Sequence, residues 1–214
     1  MKLKKIASLM LAGVMAVSML AGCSGKTEEK PGEEVPEVTP ITGAASVINS
    51  QLDNKKDQIE FNNDAELGNL LTQWCNANLK KPSDLKDYQD NTVAINTPNV
   101  NGYNDGEKVA KWAQNLYGAD GVGIAGVIKN NNTSKKTALE VFIMSGKLLT
   151  EENALRLIGQ YVDSANVNLH EDSGNGDTSY SYTGSVAAVN AQTKGKTENV
   201  WVIGITITQT PADK

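Results

Sequence analysis

Cys75 and His170 are the first residues whose types could do chemistry together. A thiolate paired with an imidazole can act as nucleophile and base, as in a cysteine hydrolase. Cys75, however, shares the apolar stripe of a predicted helix with Leu71 and Trp74, and it lies near the C-terminus of that helix, where the dipole raises the pKa of a thiol. This position favours a buried structural cysteine, and a catalytic Cys75–His170 pair is the alternative.

A second candidate site is the short segment that contains Asp172, Asn175 and Asp177. Their side-chain oxygens are ligands that Ca²⁺ prefers, but glycines stand where a calcium-binding EF-hand loop needs its next oxygen ligands. A closed zinc site normally uses several histidines and cysteines, and this chain has one histidine. We therefore expect a plain hairpin loop and no metal or other cofactor, with calcium on these three residues as the alternative.

Residues 121–126, Gly-Val-Gly-Ile-Ala-Gly, match the G-x-G-x-x-G pattern of dinucleotide-binding proteins. That pattern holds a phosphate when it leaves a strand and opens a helix. Here it follows a predicted helix and begins a predicted strand, so nucleotide binding is not expected.

Glu140 interrupts an otherwise apolar predicted strand. A pair of carboxylates could do glycosidase chemistry, but that depends on a separation that the sequence does not give. Because a buried carboxylate is costly, we expect Glu140 on an exposed face of the sheet.

Apolar spacing of three and four residues predicts helices, and period-two alternation predicts strands. The predicted helices cover residues 44–59, a segment capped by Asp64, residues 107–117 and a segment capped by Thr150; the predicted strands cover residues 92–95, 121–128, 137–144, 166–171, 178–189 and 198–209. Strand 137–144 is apolar on both sides, which indicates a central position. Short connections predict an α+β fold: a largely antiparallel sheet of about five strands, with helices packed on one face, after a two-helix N-terminal segment.

Composition narrows the classes of partner. The 214 residues carry 25 acidic and 20 basic side chains, a net charge of −5, which disfavours nucleic acid and anionic membrane surfaces. Aromatic residues make up only 5% of the chain, which weakens the case for a carbohydrate-stacking platform. The length after residue 42 suits one domain, residues 43–214, and is short for a two-lobed solute receptor.

The first 23 residues have the layout of a signal peptide. Basic residues at Lys2, Lys4 and Lys5 precede an uncharged apolar run, which ends in Leu20-Ala21-Gly22-Cys23. This ending resembles the lipobox of bacterial lipoproteins. The resemblance implies that residues 1–22 are removed and that Cys23 becomes a diacylglyceryl-bearing first residue, whose two acyl chains hold the protein stably on a membrane.

Residues 23–42 join the predicted anchor to the predicted domain. The segment is rich in Glu and Pro and poor in large apolar residues, which predicts an unfolded linker with a reach of about 60 Å. With lipid on Cys23, Cys75 has no intramolecular disulfide partner.

These features predict a lipid-anchored protein on the extracytoplasmic face of the cell membrane. Its domain is expected to bind or scaffold an envelope protein or a glycan, without chemistry of its own and without nucleic acid. One alternative is an envelope hydrolase that acts on peptidoglycan or peptide. The other is a structural subunit of a surface assembly that uses strand 201–207 as an exposed pairing edge.

Overall fold

Three long strands form the centre of the fold. The computed structural model describes residues 35–86, 88 and 103–214, all of which lie within one compact unit, Gly32–Lys214. The elements in chain order are β1 (Glu37–Pro40), α1 (Ala44–Asn49), β2 (Phe61–Asn63), α2 (Ala65–Asn78), α3 (Pro82–Lys86), α4 (Tyr103–Tyr117), β3 (Gly121–Val122), α5 (Ile124–Val127), β4 (Lys136–Ser145), α6 (Glu151–Asp163), β5 (Thr178–Gln192) and β6 (Asn199–Asp213).

Strand β6 lies inside the sheet and is paired on both sides. The order is β1-β5-β6-β4-β3; β6 pairs antiparallel with β5 along its whole length and with β4 from Val200 to Gln209. The alternation from Trp201 to Ile207 therefore reflects two buried faces of an interior strand. The hypothesis that residues 201–207 form an exposed pairing edge is wrong.

The sheet is mixed and has six strands, so the prediction of a largely antiparallel sheet of about five strands is only partly right. β2 runs parallel to β5, and β3 runs parallel to β4. These two strands are three and two residues long, too short to show an alternating pattern. The sixth strand, β1, pairs antiparallel with β5 from within the predicted linker, so the folded chain begins well before residue 43.

Helices cover both faces of the sheet, which corrects the prediction that they pack on one face. One face buries Ala138, Phe142 and Met144 of β4 under a group of helices that includes α6. The opposite face buries Leu139, Val141 and Ile143 of the same strand under α2, α3 and α4. A strand that is apolar on both sides needs cover on both sides, because either face left open would expose large apolar area to water.

The helix caps read from the sequence are confirmed. The Asp64 carboxylate accepts a hydrogen bond from the Leu67 N–H at 2.9 Å, and the Thr150 hydroxyl accepts one from Asn153 N–H at 3.3 Å. The first helix is shorter than predicted and ends at Asn49. β1 and β2 alternate with α1 and α2, which pack on opposite faces of the sheet, so no separate two-helix segment precedes it.

Two predicted strands differ from what the structure shows: one is cut to two residues, and the other forms no ladder in the described part of the chain. Residues 121–128 form β3 and then α5, because Gly123 takes a positive φ of 83° that turns the chain away from the sheet. Residues 166–171 bury Val167 and Leu169 but form no ladder; pairing begins only at the bridge between Asp172 and Ser179. The predicted strand 92–95 lies outside the described residues.

Candidate functional site

Cys75 does not have the surroundings of a nucleophile. Its side chain, on α2, is fully buried in the hydrophobic cluster between helices α2, α3 and α4 and the sheet. Burial raises the pKa of the thiol to about 12. His170 lies on the other side of the sheet: its carbonyl accepts a 2.7 Å hydrogen bond from the hydroxyl of Tyr182, which belongs to the opposite cluster. The structure therefore does not bring Cys75 and His170 together, and the cysteine-hydrolase hypothesis loses its catalytic pair.

The segment from Asp172 to Asp177 is a hairpin loop whose polar groups contact one another or a lysine. The Lys214 ammonium lies 2.8 Å from the Asp172 carboxylate. The Asn175 amide donates to the Asp177 carboxylate at 2.8 Å and accepts from the Ser173 hydroxyl at 2.6 Å. No group of three or more His, Cys, Asp or Glu side chains in the described ranges is arranged to hold a metal ion.

Glu140 is buried, contrary to the expectation of an exposed face. Its carboxylate accepts a 3.0 Å hydrogen bond from the Tyr161 hydroxyl of α6 and another from the Ile124 N–H at the start of α5. Removal from water raises its pKa to about 7, although both hydrogen bonds act in the opposite direction. It is the one acidic residue among the buried polar side chains of the described chain, and none of the hydrogen bonds described for it involves a second carboxyl group.

The glycine pattern at residues 121–126 has no phosphate site. The pattern leaves the two-residue strand β3 and enters α5, which has only four residues. The first N–H of α5, that of Ile124, is already taken by the Glu140 carboxylate. An anion at this position would meet a carboxyl group, so nucleotide binding remains unsupported.

A groove on the edge of β5 is the best candidate for a functional site. Its volume is about 330 Å³, and its lining comes from a turn after α1, from the residue after His170 and from β5: Asp57, Gln58, Glu171, Tyr180, Ser181 and Tyr182. Asp57 and Glu171 are exposed, whereas Tyr182 is 8% exposed and forms the floor. The Gln58 amide lies 3.5 Å from a Glu171 carboxylate oxygen across the rim.

The groove exists because two chain segments pair with β5 and leave a gap between them. On one side, the Tyr180 N–H donates to the Glu171 carbonyl at 2.8 Å; on the other, the Gly184 N–H donates to the Glu60 carbonyl at 3.0 Å. Backbone groups alternate in direction along a strand, so the N–H and C=O of Tyr182 also point away from β6 and into the gap. Within the chain that the structure describes, neither group has a hydrogen-bond partner.

No family model, curated protein or solved structure matches this chain. Function is therefore inferred from the chemistry of the groove. Its charged lining is purely acidic, and both tyrosine hydroxyls are engaged: Tyr180 donates to the Asn132 carbonyl at 3.2 Å and Tyr182 to that of His170. The groups left for a ligand are two carboxylates, an amide and a strip of unpaired strand backbone.

Sequence reasoning did not find this groove. The apolar periodicity places Asp57 and Gln58 inside the predicted helix 44–59, and Glu171 at the end of the predicted strand 166–171. The one local signal was the Tyr180-Ser181-Tyr182 alternation, which places two aromatic rings on the same side of a strand.

The predicted lipid anchor lies outside the described residues, and lipidation of Cys23 stays a prediction. Among the helices that the structure describes, none combines the length and apolar character that a bilayer crossing requires.

Proposed function

We propose that this protein is a lipid-anchored binding domain on the extracytoplasmic face of the cell membrane, and that the groove on β5 is its binding site. The unpaired N–H and C=O of Tyr182, on the floor of that groove, carry the proposal. Folded proteins pair nearly all of their backbone polar groups, and a pair left open beside two carboxylates is suited to a ligand.

Neither alternative function is favoured by an observation of comparable weight. A hydrolase needs an activated nucleophile or a carboxylate pair, but Cys75 is buried and Glu140 is alone among the buried acids described. An assembly subunit built on the 201–207 edge needs a free edge, and β6 is paired on both sides. A binding domain requires only the groove and the anchor.

The anchor is tested by labelling growing cells with a radioactive fatty acid. Cys23→Ala should abolish the label and move the protein out of the membrane fraction, because the variant has no thiol for diacylglycerol. Cys75→Ala is the matched control and should keep both the label and the membrane fraction. A Cys23→Ala protein that is still labelled would contradict lipidation at this residue.

The groove is tested by photocrosslinking in whole cells. A benzophenone amino acid at position 181, an exposed residue of the groove lining, should give a discrete adduct in the envelope and leaves both carboxylates in place. The same group at position 194, an exposed site in the turn between β5 and β6, should not give that adduct. Glu171→Gln should weaken the adduct from position 181. No adduct from position 181 in any growth phase would refute a binding role for the groove.

A further inference from the structure

The geometry of the groove points to one class of ligand. We propose that the groove binds an extended peptide segment with a cationic side chain; this proposal rests on the binding function proposed above. The peptide backbone pairs with Tyr182, and the cation lies between Asp57 and Glu171.

The backbone of β5 sets the shape of the ligand. Between the Glu171 and Glu60 contacts, the Tyr182 N–H and C=O have no partner within the described chain, so one extended residue of a ligand can offer the matching acceptor and donor. Strand addition to an open sheet edge is a recurrent mode of peptide recognition, in which main-chain bonds supply affinity and side-chain contacts supply specificity. A volume of about 330 Å³ lies at the small end of ligand sites and suits a short segment.

The charge of the groove sets the side chain of the ligand. Asp57 and Glu171 are the charged residues among the described residues that line it, and both are acidic. The Gln58 amide lies near one carboxylate oxygen of Glu171. The second Glu171 oxygen and the Asp57 carboxylate are left for a donor from the ligand. A lysine or arginine side chain complements this arrangement, whereas an acidic side chain is repelled.

The tyrosines favour a peptide over a sugar. A glycan site normally presents an open aromatic face for stacking, but Tyr182 is 8% exposed. Its hydroxyl is held by the His170 carbonyl at 2.7 Å and by the Gln209 amide at 3.0 Å, so it cannot turn outward without breaking both bonds. Tyr180 is half-buried, and its hydroxyl donates to Asn132.

The test is an NMR titration of the ¹⁵N-labelled mature chain with acetyl-Gly-Lys-Gly-amide. The Tyr182 amide signal should shift saturably, because its N–H gains an acceptor. The matched peptides acetyl-Gly-Gln-Gly-amide and acetyl-Gly-Glu-Gly-amide should bind about threefold to tenfold more weakly, or not at all, since each exposed ion pair contributes up to about 1 kcal/mol. Chitotriose is the glycan probe.

Two double variants separate the groove from general surface charge. Asp57→Asn with Glu171→Gln should reduce affinity for the lysine peptide to that for the glutamine peptide. Asp53→Asn with Asp213→Asn, which removes two exposed carboxylates outside the groove lining, should leave affinity within about twofold at moderate salt. Equal loss in both double variants would show non-specific attraction and overturn the proposal.

The remaining outcomes distinguish the ligand class from the binding function. Equal binding of the lysine and glutamine peptides would overturn the cationic side chain, and a Tyr182 shift with chitotriose alone would overturn the peptide. If no probe shifts Tyr182 but the position-181 crosslink forms, the ligand class fails and the binding function stands. If neither is seen, both proposals fail.

Discussion

Glu140 should make the stability of this protein fall as the pH rises from 5 to 8. Its carboxyl group is buried between β4, α5 and α6, and its pKa rises from 4.5 to about 7 in the folded protein. Between these two values the folded chain holds a proton that the unfolded chain has released. Stability is therefore greatest below pH 4.5 with respect to this group and is lost as the pH rises through about 7.

The size of the effect follows from the two pKa values. Each pKa unit corresponds to about 1.4 kcal/mol, so a carboxyl group shifted from 4.5 to about 7 lowers the free energy of unfolding by about 3 kcal/mol at high pH. Glu140→Gln removes the titration but keeps an oxygen that can accept from Tyr161 and Ile124. The glutamine NH2 group replaces a carboxylate oxygen with a buried donor, and this lowers stability by the same amount at every pH. The slope of stability with pH is therefore the diagnostic quantity.

The assay is urea unfolding of the wild type and of Glu140→Gln between pH 5 and 8. The difference between their free energies of unfolding should change by about 2–3 kcal/mol across this range, while shared titrations, including that of Lys55, cancel. Asp53→Asn, at an exposed carboxylate, is the control and should follow the wild type. Parallel profiles for wild type and Glu140→Gln would refute the buried carboxylate as the cause.

Two further predictions concern the core. Cys75, whose thiol pKa burial raises to about 12, should not react with a thiol reagent in the native protein and should react fully in urea; native labelling within minutes would contradict its burial. Gly106→Ala should destabilise the fold by about 1–3 kcal/mol in urea titrations, because the new Cβ would come within van der Waals overlap of the Val141 carbonyl oxygen. Gly126→Ala, with no atom within 4 Å of the new Cβ, is its control and should be nearly neutral; equal effects of the two would argue against close packing of α4 on β4.

Features that depend on local sequence were predicted well. Caps at Asp64 and Thr150 are set by side chains that bond to N–H groups three residues ahead, and the sequence shows both partners. The long strands β4, β5 and β6 were also found, because alternation over many residues is a strong signal.

Features that depend on distant partners were not predicted. β1 lies in a segment of Glu and Pro that looks unfolded, and it is a strand only because β5 offers an open edge from Val189 to Gln192. Burial of Glu140 depends on a tyrosine and an N–H from two other elements, which no periodicity reveals. The groove likewise combines Asp57, Glu171 and Tyr182, whose proximity is created by the pairing of β5.

The pairing of β1 has a mechanical consequence if the protein is anchored as proposed. Tension from the membrane would enter the fold at Glu37 and load the short ladder between β1 and β5 before any other element. Detachment of β1 would withdraw Val38 from the cluster that contains Val189 and Ala191 and would uncover the β5 edge beside them. The strand next to the tether would then act as a force-sensitive cover, and pulling would expose a backbone edge that is closed at rest.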